Sequence, residues 1–197
     1  MLDKKLVLNM KNLNVSGKWK TVSTKEVYKN AWIRVNEDKI IHPNGKEGLY
    51  GVVEVPVGVY AIAINERKEL LLIKQTPYPT GLETWSLPAG ALKPGSTLLD
   101  QVAEELSEET GYSAKEWTEI GITQAQPGIT TQIDHFFIAK QLSHDKLLDD
   151  KKLQLEEGIS EIGFFSFEQV NLMVQNGLIT HGQTLSGLYL YEAWKNK

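Results

Sequence analysis

The stretch from Gly90 to Tyr112 constrains this chain more than any other. Its second half, Glu105-Leu106-Ser107-Glu108-Glu109-Thr110-Gly111, sets three carboxylates at i, i+3 and i+4. On a helix those positions share one face. Asp100 and Glu104 add two more acids, and no Lys or Arg falls between 94 and 114. Glu104 and Glu108 are like charges at i, i+4, a pairing that costs a helix roughly 0.2–0.5 kcal/mol. Such a face calls for a cation, and grouped carboxylate oxygens suit Mg²⁺ or Mn²⁺.

A helix is signalled all the same. Pro94-Gly95 breaks the chain, Ser96 or Thr97 can cap, and Thr97 with Asp100 resembles a capping box. Leu99, Val102, Ala103 and Leu106 follow at i, i+3, i+4 and i+7, which predicts one buried stripe. Gly111 stands where a left-handed C-terminal residue is expected. The acidic face is expected beside that stripe, at the edge of the core. The blander reading of such a run is a solvated acidic face.

The flanking residues favour the cation-binding reading. Gly90, Glu105, Leu106, Glu108, Glu109, Gly111 and Tyr112 resemble the Nudix box, G-x5-E-x7-R-E-U-x-E-E-x-G-U, with U apolar. Two positions depart: Ser96 replaces the first Glu and Glu104 replaces the Arg. Ser86-Leu87-Pro88-Ala89-Gly90 is similar to the lead-in of the ADP-ribose pyrophosphatase and nucleoside diphosphate-sugar hydrolase branch. Pro127 lies sixteen residues past Gly111, where that branch carries a marker proline. The run from Glu156 to Tyr191 and residues 17–55 are also similar to that branch.

The remaining sequence fits a soluble enzyme. The 197 residues suit one domain with an extension: a tail over 1–16, an N-terminal β extension over 17–55, and a Nudix hydrolase domain over 56–197. A net charge of −4 without a basic run argues against a nucleic-acid partner. With no cysteine, disulfides and thiolate chemistry are excluded, and a cytoplasmic setting is expected. The N-terminal MLDKKLVLNM has too short an apolar stretch for a signal peptide, and no 18-residue apolar run predicts a membrane span. Only Arg34 and Arg67 stand against 19 Lys, so a phosphate grip depends on few Arg or on Lys.

Short strands are expected from Lys18 to Val55, with a turn at His42-Pro43-Asn44-Gly45. Val57–Ile64 and Leu70–Gln75 read as two strands of a hairpin across Asn65-Glu66-Arg67-Lys68. Trp117–Gln126 and Ile133–Lys140 read as a pair around the Pro127 loop, and Gln141–Glu157 as a polar loop. Ile162–Phe167 is strand-like, and Phe167–Gln175 and Thr184–Trp194 read as helices. The pattern implies an α/β layered domain. The resemblance specifies a Nudix sandwich, a mixed β-sheet between α-helices, with an N-terminal antiparallel β extension.

What the resemblance implies is divalent-metal-dependent hydrolysis of a nucleoside diphosphate-linked small molecule such as ADP-ribose, by a homodimer pairing through residues 17–55. Glu105 and Glu109, with the backbone carbonyl of Ala89, are the implied ligands of Mg²⁺ or Mn²⁺. Glu108 is a third ligand or a base. A catalytic glutamate can also come from the region of Glu156 and Glu157, with Glu157 preferred. The other supplier is the loop after Pro127, where Gln132 stands at a position often Glu. That branch often reads Q-x-R where this chain has Gln75-Thr76-Pro77, so Lys74 or a partner's Arg is expected to meet phosphate. Trp32 lies near where the branch places an aromatic ring against the nucleobase; ordinary sheet packing is its other reading. The departures at Ser96 and Glu104 leave an alternative open: a catalytically impaired Nudix module that binds a nucleotide sugar or a protein.

Overall fold

The computed structural model describes residues 18–144, 154–155 and 157–196. Two compact units emerge. The smaller holds the residues up to Val55 together with Gln126–Thr131, and the larger holds 56–125 and 132–197.

In the smaller unit β1 (Lys20–Lys29), β2 (Arg34–Ile41) and β3 (Glu47–Glu54) form an antiparallel sheet with β2 in the middle. The His42–Gly45 turn closes as the sequence predicts, with Gly45 at φ 85 and its N–H donating to the His42 carbonyl at 2.8 Å. Residues 126–131 dock on β3, where the Val53 N–H donates to the Ile129 carbonyl and the Tyr50 hydroxyl to the Gly128 carbonyl. Every residue of β1 is exposed.

The larger unit is a sandwich. One sheet runs β7 (Ala89–Ala91), β4 (Gly58–Ala63), β9 (Ile133–His144), β8 (Tyr112–Gln124). The other runs β10 (Ile159–Phe165), β5 (Leu70–Gln75), β6 (Thr84–Ser86). The first sheet is mixed, because β4 pairs parallel with β9 and antiparallel with β7. All of β4 is buried, as its unbroken apolar run dictates. Its side chains alternate between two cores. Tyr60 and Ile62 pack with Leu72, Phe136 and Leu188, whereas Val59 and Ala61 pack with Val102, Leu106 and Phe137. Helix α1 (Leu98–Thr110) covers the second face, and α3 (Gly182–Lys195) covers the first, beside α2 (Phe167–Gln175). No described helix is long and apolar enough to cross a membrane.

The structure corrects several expectations. β4 and β5 share only the Ile64–Leu70 bridge and then part into different sheets. β4 takes its partners β7 and β9 in one sheet and β5 its partners β10 and β6 in the other, so the pairing between β4 and β5 stops at that bridge. Strands β6 and β7 went unanticipated, and β8 begins at Tyr112, directly after the helix. The polar stretch expected as a loop from Gln141 instead continues β9 to His144. Residues 145–153 and Glu156 lie outside the described residues.

Candidate active site

Helix α1 forms as its end signals require. The Thr97 hydroxyl caps it, accepting from the Asp100 N–H at 3.1 Å. Gly111 closes it at φ 71, its N–H donating to the Ser107 carbonyl at 2.8 Å. The buried face is rotated from the predicted stripe. Leu99 is 45 % exposed, while Gln101, Val102, Glu105, Leu106 and Glu109 are buried. Two carboxylates therefore sit on the inward face itself, not beside it. Glu105 is 8 % exposed and Glu109 5 %.

Each has a fixed hydrogen bond. Glu109 Oε2 accepts from the Ala89 N–H at 2.8 Å. Glu105 Oε1 accepts from Gln101 Nε2 at 2.7 Å. β7 leaves room for this arrangement by having no side chain at Gly90, where a Cβ would stand 2.1 Å from the Glu105 carboxyl carbon. Gln101, fully buried, also donates to Glu104 Oε2 at 3.2 Å, and its oxygen accepts from the Lys93 N–H at 3.0 Å. Lys93 Nζ lies 3.1 Å from Glu104 Oε2 and 3.9 Å from Glu108 Oε2.

The electrostatics follow from this packing. Burial, reinforced by Glu108 and Glu157, pushes Glu105 up to about 7 against the pull of Gln101 and Lys93. Burial also holds Glu109 well above the carboxylate range, with Glu105, Glu157 and Glu108 adding to the effect. Glu157, exposed at the surface, is raised by partial desolvation and by Glu108. Glu105, Glu108, Glu109 and Glu157 thus share one electrostatic neighbourhood, and their joint ionisation is penalised. A divalent cation would lift that penalty, so the donor set fits a hard, oxygen-seeking metal. Among the described residues no three acidic or histidine side chains already converge on one point, since Glu105 is turned to Gln101 and Glu109 to Ala89.

Comparison with known proteins decides the family. The NUDIX domain matches residues 54–185. The chain belongs to the Nudix family. The nucleoside diphosphate sugar hydrolase N-terminal domain matches residues 19–53. An ADP-ribose pyrophosphatase of Bacillus subtilis is 27% identical over 165 residues, 84% of this chain and 88% of that one. A methanol dehydrogenase activator of Bacillus methanolicus is 27% identical over 152 residues, 73% of this chain and 82% of that one. The fold resembles a crystal structure of an ADP compounds hydrolase, with a TM-score of 0.77 at 18% identity, covering 90% of this chain and 94% of the other. The Nudix domain and its relatives support a pyrophosphohydrolase.

Within this Nudix fold the candidate residues are not all brought together. Glu105, Glu108, Glu109, Glu157 and Ala89 are joined by the contacts and fields above. Toward Glu109 it is the Ala89 N–H that points, not the carbonyl. Lys74 pairs elsewhere, with Glu83 at 2.8 Å and Glu161 at 3.7 Å. Gln132 donates to Asp134 Oδ1 at 2.9 Å. Pro127 follows Gln126, whose carbonyl accepts from the N–H groups of Ile129 and Thr130. Trp32 is 74 % exposed in the β1–β2 turn, where its backbone N–H donates to Asn30 Oδ1.

Two residues that contact the candidate acids were missed from the sequence. Lys93 stands one position before the cation-free window, and the Pro94-Gly95 turn folds it back over the acids. Gln101 is the one amide in an acidic helix, at i−4 from Glu105, and that spacing was its available signal.

Proposed function

We propose that this protein hydrolyses the pyrophosphate bond of a nucleoside diphosphate sugar such as ADP-ribose, giving a nucleoside monophosphate and a sugar phosphate. The observation that carries the reading is the buried pair Glu105 and Glu109 on one helix face, crowded by Glu108 and Glu157, an arrangement that a divalent cation would relieve. The similarity to an ADP-ribose pyrophosphatase over most of both chains supports the substrate class. We assign Glu105, Glu109 and the Ala89 carbonyl to hold Mg²⁺ or Mn²⁺. A bound divalent cation supplies neutralisation of phosphate charge and activation of water. Water oxygen attacks one phosphorus, and the bond from that phosphorus to the bridging oxygen breaks. Glu157 takes the water proton; its carboxyl is raised above the ordinary range, toward the poise a general base needs. Glu108 is the other candidate base. Trp32, Lys74, Pro127 and Gln132 remain candidates for substrate contact, and a cytoplasmic setting goes with the absence of cysteine.

The test is a screen of nucleoside diphosphate compounds with Mg²⁺ and Mn²⁺, read by product mass, on the protein and on Glu109→Gln. That variant is expected to lose at least about a hundredfold in turnover. Full activity in excess chelator ends the metal-dependent reading. Faster cleavage of a triphosphate than of every diphosphate sugar ends the substrate assignment and leaves the family untouched. Glu104 in place of the box Arg favours a second reading, an impaired module that binds a nucleotide sugar or a protein. Saturable binding of ADP-ribose with no product at any metal concentration distinguishes it.

A further inference from the structure

A cavity lies away from the acidic helix. Its volume is about 970 Å³, ample for a small molecule. It opens where the parallel strands β4 and β9 end, between Ile64 and the segment Lys140–Ser143. Tyr60, which pairs with Ala89 beside the buried glutamates, comes four residues before Ile64, about 13 Å back along the strand.

The lining is cationic and aromatic. Lys68, Lys115, Lys140 and Lys195 line it against Glu66 and Glu116, in a chain whose formal net charge is −4. Glu116 is already engaged by Gln141 Nε2. Among the described residues Lys68, Lys115 and Lys140 make no ion pair, while Lys195 pairs with Glu192. Three ammonium groups without a carboxylate partner among the described residues therefore border one concavity. Its aromatic wall is Tyr191 and Trp194, rings 20° apart with centroids at 6.5 Å, and Lys140 Nζ stands 5.0 Å over the Trp194 ring.

The backbone points to the same place. Among the described residues two that are not glycine have positive φ: Lys68 at 62 and Gln141 at 53. Both line this cavity. A side chain with a Cβ disfavours that region, and such conformations persist where the surroundings hold them. Here they shape the β4–β5 turn and the end of β9 around the opening.

We propose that this cavity is a second ligand site, one that takes a nucleoside phosphate. Lys68, Lys115 and Lys140 meet the phosphate as point charges, and the base lies against Trp194, since every base has a π-face that an aromatic side chain can stack. The site is independent of the hydrolytic reading.

The test titrates adenosine monophosphate into Glu109→Gln protein in excess chelator, where the acidic helix has no cation to hold a phosphate. Calorimetry and tryptophan fluorescence are the readouts. Saturable binding with quenching is expected, weakened at least about tenfold by the double substitution Lys115→Glu and Lys140→Glu, the loss of one charged hydrogen bond or more. Trp194→Phe is expected to remove the quenching, and ribose 5-phosphate, lacking a base, to bind more weakly. All three lysines are exposed, so the folded state should survive; Lys68→Glu alone provides a second variant and is expected to weaken binding in the same direction. The proposal is overturned by absence of saturable binding, by binding that both lysine variants leave unchanged, or by equal affinity for ribose 5-phosphate. Activity toward nucleoside diphosphate sugars bears on neither result.

Discussion

A fully buried glutamine in an acidic helix must satisfy both ends of its amide. Gln101 does so by donating to Glu105 and Glu104 and accepting from the Lys93 N–H. It thereby orients Glu105. Truncation to Ala strands the Lys93 N–H and frees Glu105. Gln101→Ala is expected to lower stability by about 1–3 kcal/mol and apparent metal affinity by about 10–100-fold. Urea unfolding and a Mg²⁺ titration of activity check the two effects separately. Burial pushes Glu105 up to about 7, so the folded state holds its proton more tightly than the unfolded chain. The resulting stability is fully present below the unfolded carboxyl pKa and is lost as pH rises through about 7. Metal-free protein is therefore expected to be less stable at pH 8 than at pH 5, with Glu105 contributing on the order of 3 kcal/mol to the difference. Glu105→Gln should flatten that slope, and saturating Mg²⁺ should restore stability at the higher pH. A slope unchanged by the substitution would remove Glu105 from the explanation.

At the scale of elements, the site depends on β7 lying flush against α1. The close approach is made at Gly90, where a Cβ would meet the Glu105 carboxyl group at 2.1 Å. The Glu105 carboxylate must move aside, away from its position against Gln101. Gly90→Ala is thus expected to remove activity by about a hundredfold or more, as displacing a catalytic group does, while circular dichroism retains its native shape. Near-normal activity would show that Glu105 has space to move. The helix was readable at both ends, because Thr97 and Gly111 act within one turn of chain. Its buried face was readable in part: Val102 and Leu106 are buried as the stripe predicts, whereas Leu99 is exposed. The leucines Leu98 and Leu99 satisfy two rotations one residue apart, and packing against Val59, Ala61 and Leu71 selects the one that partly buries Leu98 and turns Leu99 outward.

At the scale of the molecule, the sheet β1-β2-β3 offers little burial of its own. β1 is exposed along its whole length, and Trp19, Val22, Val27, Tyr28 and Leu49 remain open. Apolar residues on an unpaired sheet face mark an interaction surface. A homodimer formed through residues 17–55 is the proposed partner arrangement, and light scattering at micromolar concentration is expected to give twice the chain mass of 22.1 kDa. A monomer mass would refute it. Replacing Val22 and Val27 with Lys should shift the population toward monomer without unfolding the larger unit.

The sequence by itself determined the acidic helix and its caps, the run that becomes the buried strand β4, the β8–β9 pair and the Nudix box. Each of these is written in residues close along the chain, where spacing translates directly into one face or one turn. Only the tertiary structure decided which strands pair. β4 and β5 are neighbours in sequence, yet they part because β9 and β10, far away in the chain, compete for their edges. Tertiary structure also brought Lys93 to Glu105, and Glu157 to Glu105 and Glu109. A carboxylate's charge state depends on what surrounds it in space, and burial on two sides cannot be read from the residues on one.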